Sequence, residues 1–402
     1  MNREMRHSGI EWIGEIPKEW KIGQVKQCFT RKNEKAQQDN PVVLSLARSG
    51  VKVRDISTNE GQLAESYYNY NPVEPDDLLI NPMDLYSGAN CSVSNVYGVI
   101  SPAYINLRYI GNNNPRFFDY FFKTQYWGMA LFAHGKGISF DNRWTLNPDA
   151  LMRYFIPIPS EIEQQKIANY LDKVCGEVDE MIALQEQMIE ELKAYKQSVI
   201  TEAVTKGLNP NVPMRDSDIK WIGKVPEHWK VAKLKYYIKV DSGDAITNEQ
   251  LEVTGLYPVY GGGEIMGYYS SFNTDDEALI VGRVGARCGC VTLTEGKSWA
   301  TDNALIVKTD WLLKYVFYLL QGANLNRLNT SNAQPLITAT KIKNVYVPIL
   351  ESDEQQSIAS YLDTKCAEID ALIDIKQAKI DELKDYKKSV IYEYVTGKKE
   401  VV

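Results

Sequence analysis

Residues 154–206 and 345–397 align without gaps at an offset of 191 and are identical at 26 of 53 positions. A shorter pair precedes them: Glu11-Trp12-Ile13-Gly14-Glu15-Ile16-Pro17-Lys18-Glu19-Trp20-Lys21 returns as Lys220-Trp221-Ile222-Gly223-Lys224-Val225-Pro226-Glu227-His228-Trp229-Lys230, at an offset of 209. A half-molecule written twice must fold as two like lobes, because both copies have the same apolar pattern to bury. Two like lobes about a pseudo-two-fold axis offer two like surfaces, the symmetry by which dimeric DNA readers meet two-part sites. A bipartite ligand is expected.

The strong repeats read as long helices. In the first, Ile167, Leu171, Val174, Val178, Met181, Gln185, Met188, Leu192, Tyr195 and Val199 follow the 4-then-3 spacing of a heptad seam, broken by Gln185. Pro157 and Pro159 precede this stretch, and Gly207 with Pro210 stops it. The second copy keeps Ile358, Leu362, Ile369, Leu383, Tyr386 and Val390, with Lys376 aligned to Gln185. Each helix, of about 43 residues and ~65 Å, has too narrow a stripe to stand alone, so an antiparallel pair is expected. The sequence after the first helix repeats the sequence that opens the chain, so the end of the second helix should lie beside the N-terminal segment.

Between the helices, Val42–Ala47, Leu78–Ile80, Ala278–Val281 and Asn303–Lys308 alternate or run apolar between turn signals, which predicts strands. These regions also correspond, more divergently: Leu79-Ile80 and Ser87 match Leu279-Ile280 and Arg287, and Asp119–Phe122 matches Lys314–Phe317 at an offset of 195. The expected organisation is an α+β domain over 1–155, a long helix over 156–208, a second mixed domain over 209–346 and a second helix over 347–402. The two domains share a core and differ in surface.

The net charge is −7, but it is unevenly spread. Residues 156–208 carry −5 and residues 347–402 carry −4, leaving +2 for the domains. Nucleic acid could be held by the domains and should be avoided by the helices. No apolar run approaches 18 residues, and Met1–His7 lacks the apolar segment of a secretory signal, so a cytoplasmic location without membrane association is expected. His7, His134 and His228 and the six cysteines show no metal-ligand spacing, so no metal is expected.

Catalytic patterns are incomplete. Asn81-Pro82-Met83-Asp84 lacks the second proline and the aromatic of a methyltransferase tetrapeptide, and Gly261-Gly262-Gly263 has Met266 where a GxGxxG pattern needs its last glycine. Glu295-Gly296-Lys297-Ser298 has no glycine at Val291 and reads as a turn. Glu191 to Lys193 and Glu382 to Lys384 sit on the helices as solvated charge, with no convergent aspartate for a nuclease.

Taken together, the doubled Trp-Ile-Gly-x-[Ile/Val]-Pro-x-x-Trp (Trp12 to Trp20, Trp221 to Trp229) and the doubled Glu-Gln-Gln-x-Ile-Ala-x-Tyr-Leu-Asp (Glu163 to Asp172, Glu354 to Asp363) resemble the specificity subunit of type I restriction-modification systems. Asn81–Tyr86 and Trp299–Asn303 are similar to stretches of its target recognition domains. The resemblance implies two such domains, each reading one half of a split site in double-stranded DNA, with the helix pair as a ruler. It also implies two methyltransferase subunits docked on the helices and restriction subunits joined through these. The chain itself would be non-catalytic and without a cofactor, S-adenosylmethionine and ATP belonging to the partner subunits. The rival reading is a coiled-coil scaffold joining two protein ligands without DNA.

Base reading calls for Arg, Lys, Asn and Gln on loops beside aromatic and small residues. In the first domain Arg48, Lys52, Arg54, Tyr86, Ser87, Lys136, Asn142 and Arg143 have that character. Tyr260, Arg283, Arg287, Lys297, Asn332 and Gln334 are the counterparts in the second. Arg283 and Arg287 could equally form ion pairs within their domain. The repeated tryptophans read as core anchors that pin each domain to a helix end, rather than as base-stacking platforms.

Overall fold

Leu78, Leu79 and Ile80 are all fully buried, because the strand they form is covered on both faces. A computed structural model describes residues 3–57, 64–83, 85–86, 90–137, 144–329 and 335–401. In the first half, strands β1 (Phe29–Lys32), β2 (Leu78–Ile80), β3 (Cys91–Val93) and β4 (Ile105–Tyr109) make an antiparallel sheet in the order β1-β4-β2-β3. Leu78 and Ile80 face helix α1 (Pro115–Trp127), packing with Phe117, Phe118, Phe121 and Phe122. Leu79 points the other way, into a small cluster with Leu44, Leu46, Val73 and Ile100. Period-2 side chains thus give the sheet an inner helical layer and an outer β layer. Pro115 at the first position of α1 and the Asn114 side chain, which accepts from the Arg116 and Phe117 amides, fix where that helix starts.

The second half repeats this plan. Strands β5 (Ile238–Ser242), β6 (Leu279–Gly282), β7 (Val291–Leu293) and β8 (Ala304–Thr309) pair in the order β5-β8-β6-β7. Leu279, Val281, Leu305 and Val307 share the inner core with Tyr315, Val316, Leu319 and Leu320 of the helix Leu313–Gly322, while Ile280 and Ile306 join Tyr260, Ala278, Ala300 and Ala304 outside.

The long helices are α2 (Glu161–Lys206, 46 residues) and α4 (Ser352–Val395, 44 residues), with Leu313–Gly322 as α3. The chain divides into two compact lobes, 1–184 with 379–402 and 185–378, so the division falls within the helices and not at the expected boundaries of 155, 208 and 346. The reason is visible in the cores. In the first lobe Ile167, Ala168, Leu171 and Cys175 of α2 pack with Val390, Ile391 and Val395 of α4, the Tyr170 and Tyr394 rings meet at a 40° tilt (centroids 4.4 Å apart), and Lys387 Nζ lies 2.7 Å from Asp179. In the second, Ile200, Ala203 and Val204 meet Ile358, Ala359, Leu362 and Cys366, and Lys196 Nζ lies 2.6 Å from Asp370. Residue numbers rise along one helix as they fall along the other, so the helices pair antiparallel within each lobe. Asp179/Asp370 and Lys196/Lys387 are repeat-equivalent, making the two ion pairs copies of one contact.

The seam differs from the expected one in its alternate positions. Ile167, Leu171, Val178, Ile358, Leu362, Ile369, Leu383 and Val390 are buried, and Val174, Leu192 and Val199 are half-buried. Met181, Met188, Tyr195 and Tyr386 are exposed, and the buried places are taken one residue later by Cys175, Ile182, Ile189 and Lys196, the second and fourth only partly. Gln185 is half-buried.

Each doubled motif clamps a domain to its helix. The Trp20 indole N–H donates to Glu163 Oε2 at 2.8 Å and that of Trp229 to Glu354 Oε2 at 3.0 Å. Gln164 and Gln355 accept from the backbone N–H of Asn114 and Leu312, just ahead of α1 and α3. Asp172 accepts from Tyr120 Oη (2.9 Å) and pairs with Arg116; Asp363 accepts from Tyr318 Oη (2.8 Å) and Lys314 Nζ (2.7 Å). Tyr120 is therefore equivalent to Tyr318, an offset of 198 and not 195, because only that register sets both hydroxyls on the repeated aspartate. At the far ends, Gly207 and Gly397 are left-handed (φ +74° and +72°) and lie against Trp229 and against Pro17 and Trp20 respectively. The end of α4 thus meets the N-terminal segment, as the circular repeat order requires.

Candidate nucleic-acid interface

The described side chains that the sequence singled out sit on an outer hairpin, on the connections between sheet strands and on short flanking strands. In the first lobe the hairpin Leu44–Ala47/Gly50–Val53 turns at Arg48, which is exposed, as is Lys52; Arg54 is half-buried. Asn90 Nδ2 donates to Ala47 O at 2.5 Å, tying this hairpin to the connection between β2 and β3. That connection presents Tyr86, 60% exposed, with its ring 6.4 Å from Phe132. Lys136 is exposed on the two-residue strand Gly135–Lys136, paired with Thr145–Leu146. A Cβ at Gly135 would lie 2.4 Å from the Trp144 indole nitrogen, so only glycine lets this strand sit against Trp144 and Leu85. Ser87, Asn142 and Arg143 lie outside the described residues.

In the second lobe the corresponding connection, between β6 and β7, presents two arginines instead of a tyrosine. Arg283 is half-buried, with Nη1 donating to Asp302 O at 3.4 Å, and Arg287 is exposed in an ion pair with Glu264. That pair depends on close backbone approach: a Cβ at Gly282 would fall 2.2 Å from Arg287 O and 2.4 Å from Gly262 O. Lys297 Nζ stands 4.3 Å over the Phe272 ring. Tyr260 is 6% exposed, and burial raises its phenol above its ordinary pKa. Strand parity turns it inward beside Ile280, so it is a core residue of the outer layer and does not belong to the base-reading set. Asn332 and Gln334 lie outside the described residues.

Sequence reading missed Asn90 and Glu264, the partners that position the hairpin and Arg287, since neither stands in a recognisable pattern. The phosphate-loop look-alike is a bend with Gly296 at φ +78°, and Ser298 is fully buried with Oγ 2.7 Å from Thr274 Oγ1. Its hydroxyl is spent inside the lobe. On the long helices, apolar side chains left in solvent recur at repeat-equivalent places: Met181 and Leu184 at 48% and 52%, Leu372 and Ile375 at 47% and 62%. Among the described residues no helix is long and apolar enough to cross a membrane.

Residues 226–385 match the family model of the type I restriction modification DNA specificity domain. The clamps and sheet order found there are those of the first half as well. Over residues 226–385 the chain is thus similar to a DNA specificity domain of type I restriction-modification systems. The Type I restriction enzyme EcoprrI specificity subunit of Escherichia coli is 33% identical over 121 residues, 29% of each chain. The putative MjaX specificity subunit of Methanocaldococcus jannaschii is 23% identical over 395 residues, 87% of each. The chain thus spans less than a third of the first of these relatives and most of the second. A solved chain from work on complex assembly and conformational transition of the type I R-M system shares the fold: TM-score 0.70 at 16% identity, covering 94% of this chain and 98% of that chain.

Proposed function

We propose that this chain is a specificity subunit, the non-catalytic DNA reader of a type I restriction-modification complex, each lobe taking one half of a bipartite, asymmetric site in double-stranded DNA. The observation that carries this reading is the pair of equivalent sheet connections: one offers Tyr86, the other Arg283 and Arg287. Like scaffolds with unlike side chains read unlike half-sites. Arg48, Lys52 and Lys136 in one lobe and Arg287 and Lys297 in the other supply exposed charge for phosphates or base edges. The helices set the unread interval. Met181 and Leu184 with their twins Leu372 and Ile375 dock two methyltransferase subunits, a use that fits exposed apolar side chains on an acidic helix. Restriction subunits join through these, and S-adenosylmethionine and ATP are held by the partner subunits, in the cytoplasm. The match to a DNA specificity domain favours this over a scaffold for protein ligands.

The test is to map methylated bases in a genome with and without the gene, then with residues 27–155 exchanged for another domain. One half-site should change while the other stays. A change in both halves, or a methylation pattern independent of the gene, refutes the reading.

A further inference from the structure

We infer that Glu264 is a specificity-determining residue, and that it and Arg287 together read one G·C pair of the second lobe's half-site, Arg287 on the guanine and Glu264 on the paired cytosine. This deepens the proposed DNA-reading function and rests on it. The two side chains come from different layers. Glu264 ends the turn of the outer hairpin Tyr257–Tyr260/Ile265–Tyr269, and Arg287 stands on the connection from β6 to β7. Backbone contacts bring them together independently of their charges. Thr292 Oγ1 donates to Gly263 O at 2.9 Å, and Gly262 and Gly263 turn with φ of +86° and +127°, which only glycine adopts at no cost. On the connection, Arg287 O accepts from the Cys290 amide at 3.0 Å, and a Cβ on Gly282 would strike both this oxygen and Gly262 O.

Each lobe has this juxtaposition of hairpin and connection, with different side chains. The first strand of each outer hairpin makes a parallel bridge to a neighbouring strand, Val43 to Val99 and Val259 to Trp299. Five residues on from Val43 and Val259 stand Arg48 and Glu264, an arginine at one hairpin turn and a carboxylate at the other. A carboxylate at such a tip repels phosphates, so backbone contact does not account for it. Stability does not either, since the Arg287 and Glu264 side chains are 49% and 62% exposed and an exposed ion pair contributes little. A base pair accounts for both. In the major groove guanine shows two adjacent acceptors, N7 and O6, and its cytosine an N4 donor, whereas A·T shows acceptor, donor and acceptor in turn. The guanidinium has five N–H donors in a planar fork, so two can meet guanine while another keeps the Glu264 contact that holds the plane of the fork. The carboxylate only accepts, and so suits cytosine N4–H and not thymine O4. Ile265 and Met266, exposed beside Glu264, add no charge that would draw phosphates to the tip.

The experiment uses the full chain with its methyltransferase subunits, across a salt series. The probes are duplexes carrying the mapped site with each single base-pair change in the half-site that stays fixed when residues 27–155 are exchanged. The wild-type complex should disfavour loss of one G·C pair there by about tenfold to a hundredfold. Arg287→Ala and Glu264→Ala should both relax that one position and leave the others. Glu264→Ala should also tighten binding to duplex without the site and steepen the log–log salt slope, because the released guanidinium then meets a phosphate. A half-site without a G·C pair, relaxation at separate positions in the two variants, or unchanged discrimination in Glu264→Ala would overturn the inference. So would uniformly weaker binding by Arg287→Ala with a slope reduced by about one, the mark of a phosphate contact. Should Arg287→Ala fail to fold, Arg287→Lys decides, since it keeps the charge and loses the fork: full discrimination at that pair by the folded lysine variant defeats the proposal. A wild-type complex that prefers no sequence brings down the functional reading itself, which separates the two failures.

Discussion

Replacing Trp229 tests whether the repeated tryptophans are anchors of the core. Its side chain is 1% exposed, its indole N–H reaches Glu354 at the start of α4, and its ring lies 3.3 Å from where a Cβ would stand at Gly207, after the end of α2. Arg215 Nη2 donates to its carbonyl at 2.6 Å, so the backbone is held independently of the ring. Truncation to alanine removes a buried aromatic where the backbone resists collapse, a loss of about 3–5 kcal/mol. Trp229→Phe keeps most of the ring and loses the donor. Because the Glu354 side chain is 39% exposed and can turn to water, that change should cost only about 1 kcal/mol. In a lobe of about 200 residues, 1 kcal/mol moves the midpoint by ~2–4 °C. The alanine variant should therefore lower the second lobe's transition by about 6–20 °C, and the phenylalanine variant by ~2–4 °C. Scanning calorimetry of the whole chain is the assay, fitted with two transitions since a two-lobe chain need not unfold in one step. Trp20→Ala, equally buried and paired with Glu163, supplies the reference for the other lobe. If Trp229→Phe costs as much as Trp229→Ala, the hydrogen bond and not the packing holds the clamp, and the reasoning fails.

Two further outcomes bear on the helices. Seven residues added after Leu184 and after the repeat-equivalent Ile375 preserve the heptad and add ~10 Å of helix, so the unread interval in the methylated site should lengthen by about 3 base pairs with both half-sites unchanged; a constant interval would show that the helices do not set it. Leu184→Glu and Ile375→Glu alter exposed side chains and should change stability by no more than ~0.5 kcal/mol. Each should cost one methyltransferase subunit in the purified complex, read by mass photometry, and a full complement on both variants would remove these residues from the docking surface.

The clamps were legible in the chain because both copies retained the same polar groups, and a polar group kept twice inside a helix has a partner to satisfy. Glu163, Gln164 and Asp172 each bond to the preceding domain, and so do Glu354, Gln355 and Asp363. Tyr260 was misplaced because the glycine run after it suggested a loop, whereas its own strand, Tyr257–Tyr260, pairs on both edges and turns it inward. The sheet connections were locatable, but what orients them is not local: Asn90 and Ala47 are 43 residues apart, and Arg287 meets Glu264 through backbone contacts that depend on Gly282.

The helix seam shows how the choice between two apolar stripes is made. Leu171, Val178, Gln185, Leu192 and Val199 belong to either heptad, so the decision rests on Val174, Met181, Met188 and Tyr195 against Cys175, Ile182, Ile189 and Lys196. Apolarity alone favours the first set, which contains no charge. The repeat favours the second: Cys175, Ile182, Ile189 and Lys196 recur unchanged as Cys366, Ile373, Ile380 and Lys387, whereas Val174, Met181 and Met188 become Lys365, Leu372 and Lys379. Helices that pair with their own copies must fit both members of every contact at once, so the paired stripe is the one that cannot drift, and it is the one found facing the partner within each lobe. The remaining stripe keeps Tyr195 and Tyr386 identical and exposed at 58% and 54%. Their retention is not explained by the seam, and it agrees with the proposed docking of two methyltransferase subunits, which would meet the same ring at both places.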